Sequence, residues 1–413
     1  MPVPAGDLHT PISPQGQALH DLLTEQLPAI EAGAAGHDRD QSFPADVFAR
    51  FAESGVLGAT VPAELGGLGV ERLHDVALAL LRIGAADAST ALALHVQYSR
   101  GLTLTYEWRH GTPAAKALAE RVLRGMGSGA IAVCGAVKDH HTTVTRMTPG
   151  EDGGWHLTGR KTLVSMAPVA THFFVYAQYE QDGRPMLAAP LVSRDAPGLT
   201  VLDTWEGMGM RASGTSDIVL DDCPVAADDI LLRNPAGTAG DAALAGQTVS
   251  SITLLGLYVG LAQAARDLAV ATFTRRRGTP SAATRTMLAE IDARLYAARS
   301  CAVAALANTE QVASEIVDDP AERGRRMMTP FQSAKLMINR LTLELVNDCV
   351  TAVGGAAYSD SHPLARIYRD VRAGWFMQPY TYSDGVDYLS GQALRLPQDN
   401  DYMTIRAARP SAA

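Results

Sequence analysis

The chain has 413 residues, 47% of them hydrophobic, enough for a large buried core and two or three domains. Aromatic residues are scarce at 6% while Ala, Leu and Gly abound, a mix that suits closely packed helices better than a β-sandwich. The formal net charge of -9 excludes the basic face of a nucleic-acid binder and disfavours docking on an anionic membrane surface.

Residues 1–12 are rich in Pro and Gly and read as a loose arm. Residues 13–128 read as a helical domain. Ala18, Leu19, Leu22, Leu23, Leu27 and Ile30 recur at helical spacing, and Phe48, Phe51 and Leu57 continue the pattern. Pro62 to Gly69 breaks it with a glycine-rich turn, after which Asp75 to Leu81 and Ala91 to Tyr98 resume apolar helix. Residues 129–233 change character. Short β-rich runs at Ala130–Val133, His156–Thr158, Thr162–Ser165, His172–Ala177, Met186–Val192, Leu199–Leu202 and Asp217–Leu220 are separated by turn residues, which predicts a compact β-barrel or sandwich. A small-residue linker, Asn234 to Gly246, leads into a helical bundle over 240–396. Its long apolar helices are predicted at Ser250–Phe273, Ala283–Ala307 and Pro330–Val353. Residues 397–413 read as a tail.

The four cysteines, Cys134, Cys223, Cys301 and Cys349, show no metal-ligand spacing and read as free thiols in a reducing compartment; no metal site is expected. The N-terminus lacks a charged-then-apolar signal pattern, and no uncharged apolar run is long enough to span a bilayer, so the expectation is a soluble cytoplasmic protein.

The order helical domain, β domain, helical bundle, with motifs along nearly the whole chain, resembles the acyl-CoA dehydrogenase superfamily. Pro62-Ala63-Glu64-Leu65-Gly66-Gly67-Leu68-Gly69 is similar to its N-terminal Pro-Glu-x-x-Gly-Gly turn. Trp155 to Lys161 resembles its Gly-x-Lys hairpin, and Gly207 to Thr215 its Gly-x-Arg-x-Ser-x-Thr loop. Asp221-Asp222-Cys223-Pro224-Val225 follows as the closing strand of that domain does, and Val353-Gly354-Gly355 and Ile367 to Arg372 resemble C-terminal elements. The resemblance implies a mainly α fold with a central β domain: an N-terminal helical domain, a middle β-barrel or sandwich, and a C-terminal four-helix bundle.

It also implies a flavin, FAD in most members, with reduced flavin or FMN as a co-substrate in others. Thr162, Leu163, Val164 and Ser165 would run along the flavin ring. There the Ser165 hydroxyl and nearby amides could donate to its N5 and O4 edge and stabilise charge built up on reduction. Arg275 and Arg277, in the run Arg275-Arg276-Arg277-Gly278, would meet a flavin phosphate of a neighbouring subunit, since the guanidinium fork matches two phosphate oxygens. Gly354 and Gly355 would allow close approach of backbone to a partner's FAD adenine. A homodimer or homotetramer is implied, together with an electron-transfer flavoprotein or a flavin reductase as electron partner.

The departures concern chemistry. The Thr-Glu-Pro-x-x-Gly-Ser-Asp segment that lies against flavin and substrate is replaced by Val133 to His141, and the paired glutamines that help hold FAD are missing from Ser281 to Arg294. Gln378 stands where dehydrogenases carry the glutamate that removes an α-proton, and Ser250 stands at the alternative glutamate position. A neutral amide is no proton acceptor, and loss of a positioned base costs roughly 10²–10⁴ in rate. Asp384 is a nearby carboxylate that could substitute. An oxygen-dependent branch of the superfamily, which hydroxylates or N-oxidises small molecules with reduced flavin, needs no such base; His95, on an apolar N-terminal helix, could face its flavin. The sequence therefore reads as a flavin-dependent oxidoreductase acting on a CoA- or carrier-bound acyl group or another small biosynthetic intermediate. Dehydrogenase-type oxidation is favoured by the retained family shape, oxygen-dependent monooxygenation is the second reading, and a binding module without catalysis is the third.

Overall fold

The structure, a computed structural model, describes residues 6–151, 153–235, 241–275, 278–315, 320–377 and 379–396. The N-terminal domain comprises α1 (Pro14–Asp40), α2 (Ala45–Glu53), α3 (Leu73–Ala86), α4 (Ala88–His110) and α5 (Pro113–Gly127). Ser13 caps α1 by accepting from the Gly16 N–H, with Pro14 pre-set in the first turn, and Asp87 caps α4 by accepting from the Thr90 N–H. The Pro62–Gly69 turn lies where the sequence breaks; a Cβ on Gly67 would come within 2.2 Å of the Val61 carbonyl oxygen, so the turn needs glycine there.

The arm is not loose over residues 6–12. Leu8 is buried in the core, and its N–H donates to His74 Nε2 at 3.0 Å. That bond makes Nε2 the acceptor and puts the ring proton on Nδ1, 3.0 Å from Asp75 Oδ1. Asp75 also accepts from the Ile12 N–H and the Ser13 hydroxyl. Composition alone predicts a free end; a buried hydrogen-bond network overrides it.

The middle domain holds β1 (Val133–Ala136), β2 (Lys138–Asp139), β3 (Arg146–Pro149), β4 (Trp155–Val164), β5 (His172–Val175), β6 (Ala177–Gln181), β7 (Arg184–Ser193), β8 (Leu199–Leu202), β9 (Ser216–Val225) and β10 (Ile230–Pro235). Among the described residues they join in one mixed sheet of order β1-β5-β7-β6-β3-β4-β9-β8, with β10 on β7 and β2 on β4. The sequence splits β4 into two runs at Gly159, yet it is one strand of ten residues, kinked against β9 by register shifts on either side of Gly159 to Lys161. Gly159 is needed because a Cβ there would meet Thr145 Oγ1 at 2.5 Å.

The C-terminal domain comprises α6 (Asp241–Ser251), α7 (Leu254–Arg275), α8 (Ala282–Ala313), α9 (Pro320–Val353), α10 (Pro363–Asp370) and α11 (Tyr382–Leu394). Two boundaries differ from expectation. Part of the predicted linker is α6, and α9 begins ten residues before Pro330 and runs through it. Packing along α8 and α7 outweighs the hydrogen bond that Pro330 cannot donate. The apolar span Gly246–Arg275 is long enough by composition to cross a bilayer, contrary to the sequence reading, but 78% of its most apolar window is packed inside the protein. It is the central helix of the bundle. A Cβ on Gly256 would lie 2.0 Å from the Ala77 carbonyl oxygen and one on Gly260 2.2 Å from that of Leu81, so α7 and α3 meet backbone to backbone. This contact fixes the bundle onto the N-terminal domain.

Candidate active site

Where the three domains meet lies a cleft of about 1360 Å³. The chain reaches it from α4 with His95, Ser99 and Arg100, from the middle domain with Gly135, Thr162, Leu163 and Ser165, from the loop Met208–Met210, from the α6–α7 junction with Ser250, Ser251 and Leu254, and from Phe376, Met377 and Pro379. The volume exceeds the several hundred Å³ typical of a single small ligand, so cofactor and substrate can share it.

Of the predicted flavin-edge segment, Thr162, Leu163 and Ser165 line the cleft, while Val164 is fully buried in the core. The strand ends here with Leu163 at φ 58° and Met166 at φ 66°, conformations uncommon for side chains of this size, and this re-aims Leu163 outward and leaves it half exposed. Ser165 is the first of three linked hydroxyls: its Oγ is 2.8 Å from Thr215 Oγ1, which is 2.7 Å from the buried Ser213 Oγ. The Cys134 thiol donates to the Ser165 carbonyl at 3.0 Å, tying β1 to the end of β4. Burial pushes that thiol far above its ordinary pKa, so Cys134 is a small packing group.

His95 lies at the cleft and is 6% exposed. Its Nδ1 is 3.2 Å from Thr253 Oγ1, across the joint between α4 and the bundle. Burial, with a smaller contribution from the positive charge of Arg100, pushes its pKa down to about 3, so the ring is neutral throughout the neutral range. Arg100, one turn further along α4, was missed by sequence reasoning. A cation on an otherwise apolar helix stretch is the signal that could have found it.

Gln378 lies outside the described residues, but both its neighbours, Met377 and Pro379, line the cleft. The segment is held by Lys335, a buried amine that sequence reasoning also missed, which donates to the carbonyls of Met377 at 2.5 Å and Tyr380 at 2.6 Å. Burial, partly offset by Asp384, lowers the Lys335 pKa to about 7. Asp384 does not line the cleft. It sits in the first turn of α11, where its Oδ2 accepts from the Thr381 hydroxyl at 2.7 Å. Ser250, which the sequence resemblance sets at the alternative glutamate position, lines the cleft and donates to the Gln247 carbonyl.

The carboxylates that do line the cleft are Glu71, Glu107 and Glu310, none of them on the elements that carry the two base positions. Glu71 pairs with Arg109 at 2.5 Å and Glu310 with Arg72 at 2.7 Å. Arg275, Gly354 and Gly355 are not at the cleft. Arg275 ends α7 exposed, Gly354 terminates α9 at φ 82°, and neither glycine's Cβ position has a neighbour within 4 Å. Arg277 lies outside the described residues. Among the described residues no cluster of His, Cys, Asp or Glu is arranged to hold a metal ion.

Comparison with known proteins agrees with this architecture. The acyl-CoA dehydrogenase N-terminal domain matches residues 17–130, the middle domain 135–223 and the C-terminal domain 252–377. The chain is 60% identical over 406 residues to L-evernosamine nitrososynthase of Micromonospora sp., covering 98% of this chain and 96% of that one. It is 61% identical over 408 residues to amino sugar nitrososynthase RubN8 of Streptomyces rubradiris, with the same coverage of each. The structure of KijD3 in complex with FMN and dTDP-3-amino-2,3,6-trideoxy-4-keto-3-methyl-D-glucose superposes with a TM-score of 0.96 at 58% identity, covering 98% of this chain and all of that one. From its three domain matches and from relatives that share well over half of its residues along their full length, the chain belongs to the acyl-CoA dehydrogenase family.

Proposed function

We propose that this protein is a flavin-dependent N-oxygenase that converts the amine of a nucleotide-activated amino sugar to a nitroso group, using reduced FMN and molecular oxygen. The observation that carries this reading is the coincidence of two facts. Relatives named as nitrososynthases align over 98% of the chain at 60–61% identity, and Ser250, which the sequence resemblance sets at the alternative glutamate position, stands as a serine at the wall of the cleft. The reading reverses the order of the two redox branches that the sequence left open. It replaces the acyl thioester by a sugar and FAD by FMN. Because FMN has no adenosine half, Gly354 and Gly355 lose their proposed role. The dimer or tetramer stays part of the proposal, with Arg275 available to a neighbour's phosphate, and a flavin reductase is the electron partner it requires.

The balance is simple. An amine, oxygen and two reducing equivalents give a hydroxylamine and one water; the hydroxylamine, oxygen and two more reducing equivalents give the nitroso group and two waters. Bound reduced flavin would supply the electrons and activate the oxygen. The residues present fit a flavin: Ser165 offers a hydroxyl beside the strand end, Arg100 a guanidinium whose buried Nε has no partner, and Leu163 an apolar surface. The chain's own part is positioning. With its Nδ1–H donating to the Thr253 hydroxyl, neutral His95 can accept a hydrogen bond from the substrate amine at Nε2 without competing for a full proton. Leu163, Phe376 and Met377 give the cleft apolar surface against which a flavin ring would pack.

The test is to incubate the purified protein with FMN, a flavin reductase with its reductant, oxygen, and a dTDP-linked 3-amino sugar. A product that gains one oxygen and loses two hydrogens supports the reading. Anaerobic bleaching of bound flavin by an acyl-CoA, with no amine oxidation, overturns it in favour of a dehydrogenase. A protein that binds no flavin is a binding module instead.

A further inference from the structure

Arg100 has no evident structural employment. Its Nε is buried without a hydrogen-bond partner, and the guanidinium makes no ion pair among the described residues. A guanidinium keeps its charge, and a partly buried charge without a counter-ion is costly enough that such groups are normally paired. The surroundings do not supply the partner. Two groups that feel its charge, His95, whose protonation it opposes, and the thiol of Cys134, are neutral. The charge lines the cleft and lies beside Gly135, whose ideal Cβ position is 3.5 Å from the guanidinium carbon. Gly135 and Ser165 are brought together by the Cys134–Ser165 bond, which places Arg100 on the side of the cleft formed by β1 and the end of β4.

Resting on the flavin reading above, we propose that Arg100 is a flavin-contacting cation whose counter-charge is the anionic pyrimidine half of reduced FMN. The oxidised ring is neutral and the reduced ring is readily deprotonated at neutral pH. A fixed positive charge in a cleft of low polarity therefore discriminates between the two. The consequence is selectivity for the form that arrives from a reductase, and release of the oxidised form after turnover. His95 takes part indirectly: the same charge that awaits the flavin helps keep the imidazole neutral.

The experiment compares the full-length wild-type protein with Arg100→Gln and Arg100→Lys. Binding of reduced FMN (anaerobic), oxidised FMN and thymidine diphosphate is measured for each. The wild type should prefer reduced FMN. Arg100→Gln should weaken reduced FMN by roughly tenfold or more, the scale of a charge-assisted hydrogen bond, while oxidised FMN and thymidine diphosphate bind as before. Arg100→Lys should restore part of the preference. Equal loss for both redox forms, a loss confined to thymidine diphosphate, or a wild type without redox preference overturns the assignment. A wild type that binds neither flavin form brings down the functional reading as well; a wild type that prefers reduced FMN alongside an Arg100→Gln protein that keeps this preference brings down only the role of Arg100. Unaltered binding of thymidine diphosphate shows that a variant is folded.

Discussion

Thr253 Oγ1 lies 3.2 Å from His95 Nδ1, so a hydroxyl at the break between two bundle helices holds an imidazole from the N-terminal domain. The bond occupies one ring nitrogen and leaves Nε2, which has no hydrogen-bond partner among the described residues, for the cleft. His95→Gln is predicted to lower kcat for amine oxidation on the order of 10²-fold, with flavin affinity retained. Steady-state kinetics at saturating flavin checks this, and an unchanged kcat would remove His95 from the mechanism.

The His95 pKa of about 3, against an ordinary 6.5, has a stability consequence with a definite sign. Between those values the unfolded chain binds a proton that the folded protein does not, so stability falls as pH drops from 6.5 toward 3, by at most about 1.4 kcal/mol per pH unit. The same His95→Gln variant should lose less thermal stability than wild type between pH 6.5 and 5. Parallel melting curves at both pH values decide the point.

Asp370 carries the opposite sign. Burial raises its pKa to about 7; the Met210 N–H opposes this and Asp87 adds to it. The folded state therefore holds a proton that the unfolded state has released between about 4 and 7, and the cost of the buried charge is complete only above 7. Asp370→Asn keeps an acceptor for the Met210 N–H, which donates at 2.6 Å. It should raise the melting temperature at pH 8, with the gain shrinking toward pH 4. A gain independent of pH would contradict the assignment.

Lys335 clasps the segment that carries Met377 and Pro379 to the cleft. Lys335→Met leaves two buried carbonyls without their donor, at a cost of roughly 1–3 kcal/mol each. The expected result is a lower urea midpoint and a raised KM for the sugar, with oxidised-flavin binding little changed. A KM equal to wild type would show that the clasp has no bearing on the site.

Gly256 is the point of closest approach between α7 and α3, and Gly256→Ala cannot be absorbed without moving a helix. A loss of about 1–3 kcal/mol is expected from such overpacking. Chemical denaturation measures it, and a neutral substitution would show that the domain joint is looser than the packing implies.

Much of the architecture is legible in the chain itself. Helical periodicity from Leu19 to Ile30, turn residues around the β runs and the apolar stretch after Ser250 report local physics that neighbours in sequence already decide. Local signals failed where tertiary packing outweighs them: composition called residues 6–12 loose although His74 and Asp75 hold them, and Pro330 read as a helix start although α9 runs through it.

The sequence by itself determined the family shape, since that depends on residue types at spacings that survive folding. Only the tertiary structure decided which polar groups share the cleft. Asp384, six residues after Gln378, stays in the first turn of α11 and accepts from the Thr381 hydroxyl, whereas His95, Arg100, Ser165 and Ser250, from three domains, converge on the cleft. Burial and unsatisfied charge arise from contacts between segments far apart in the chain. No window of sequence contains them.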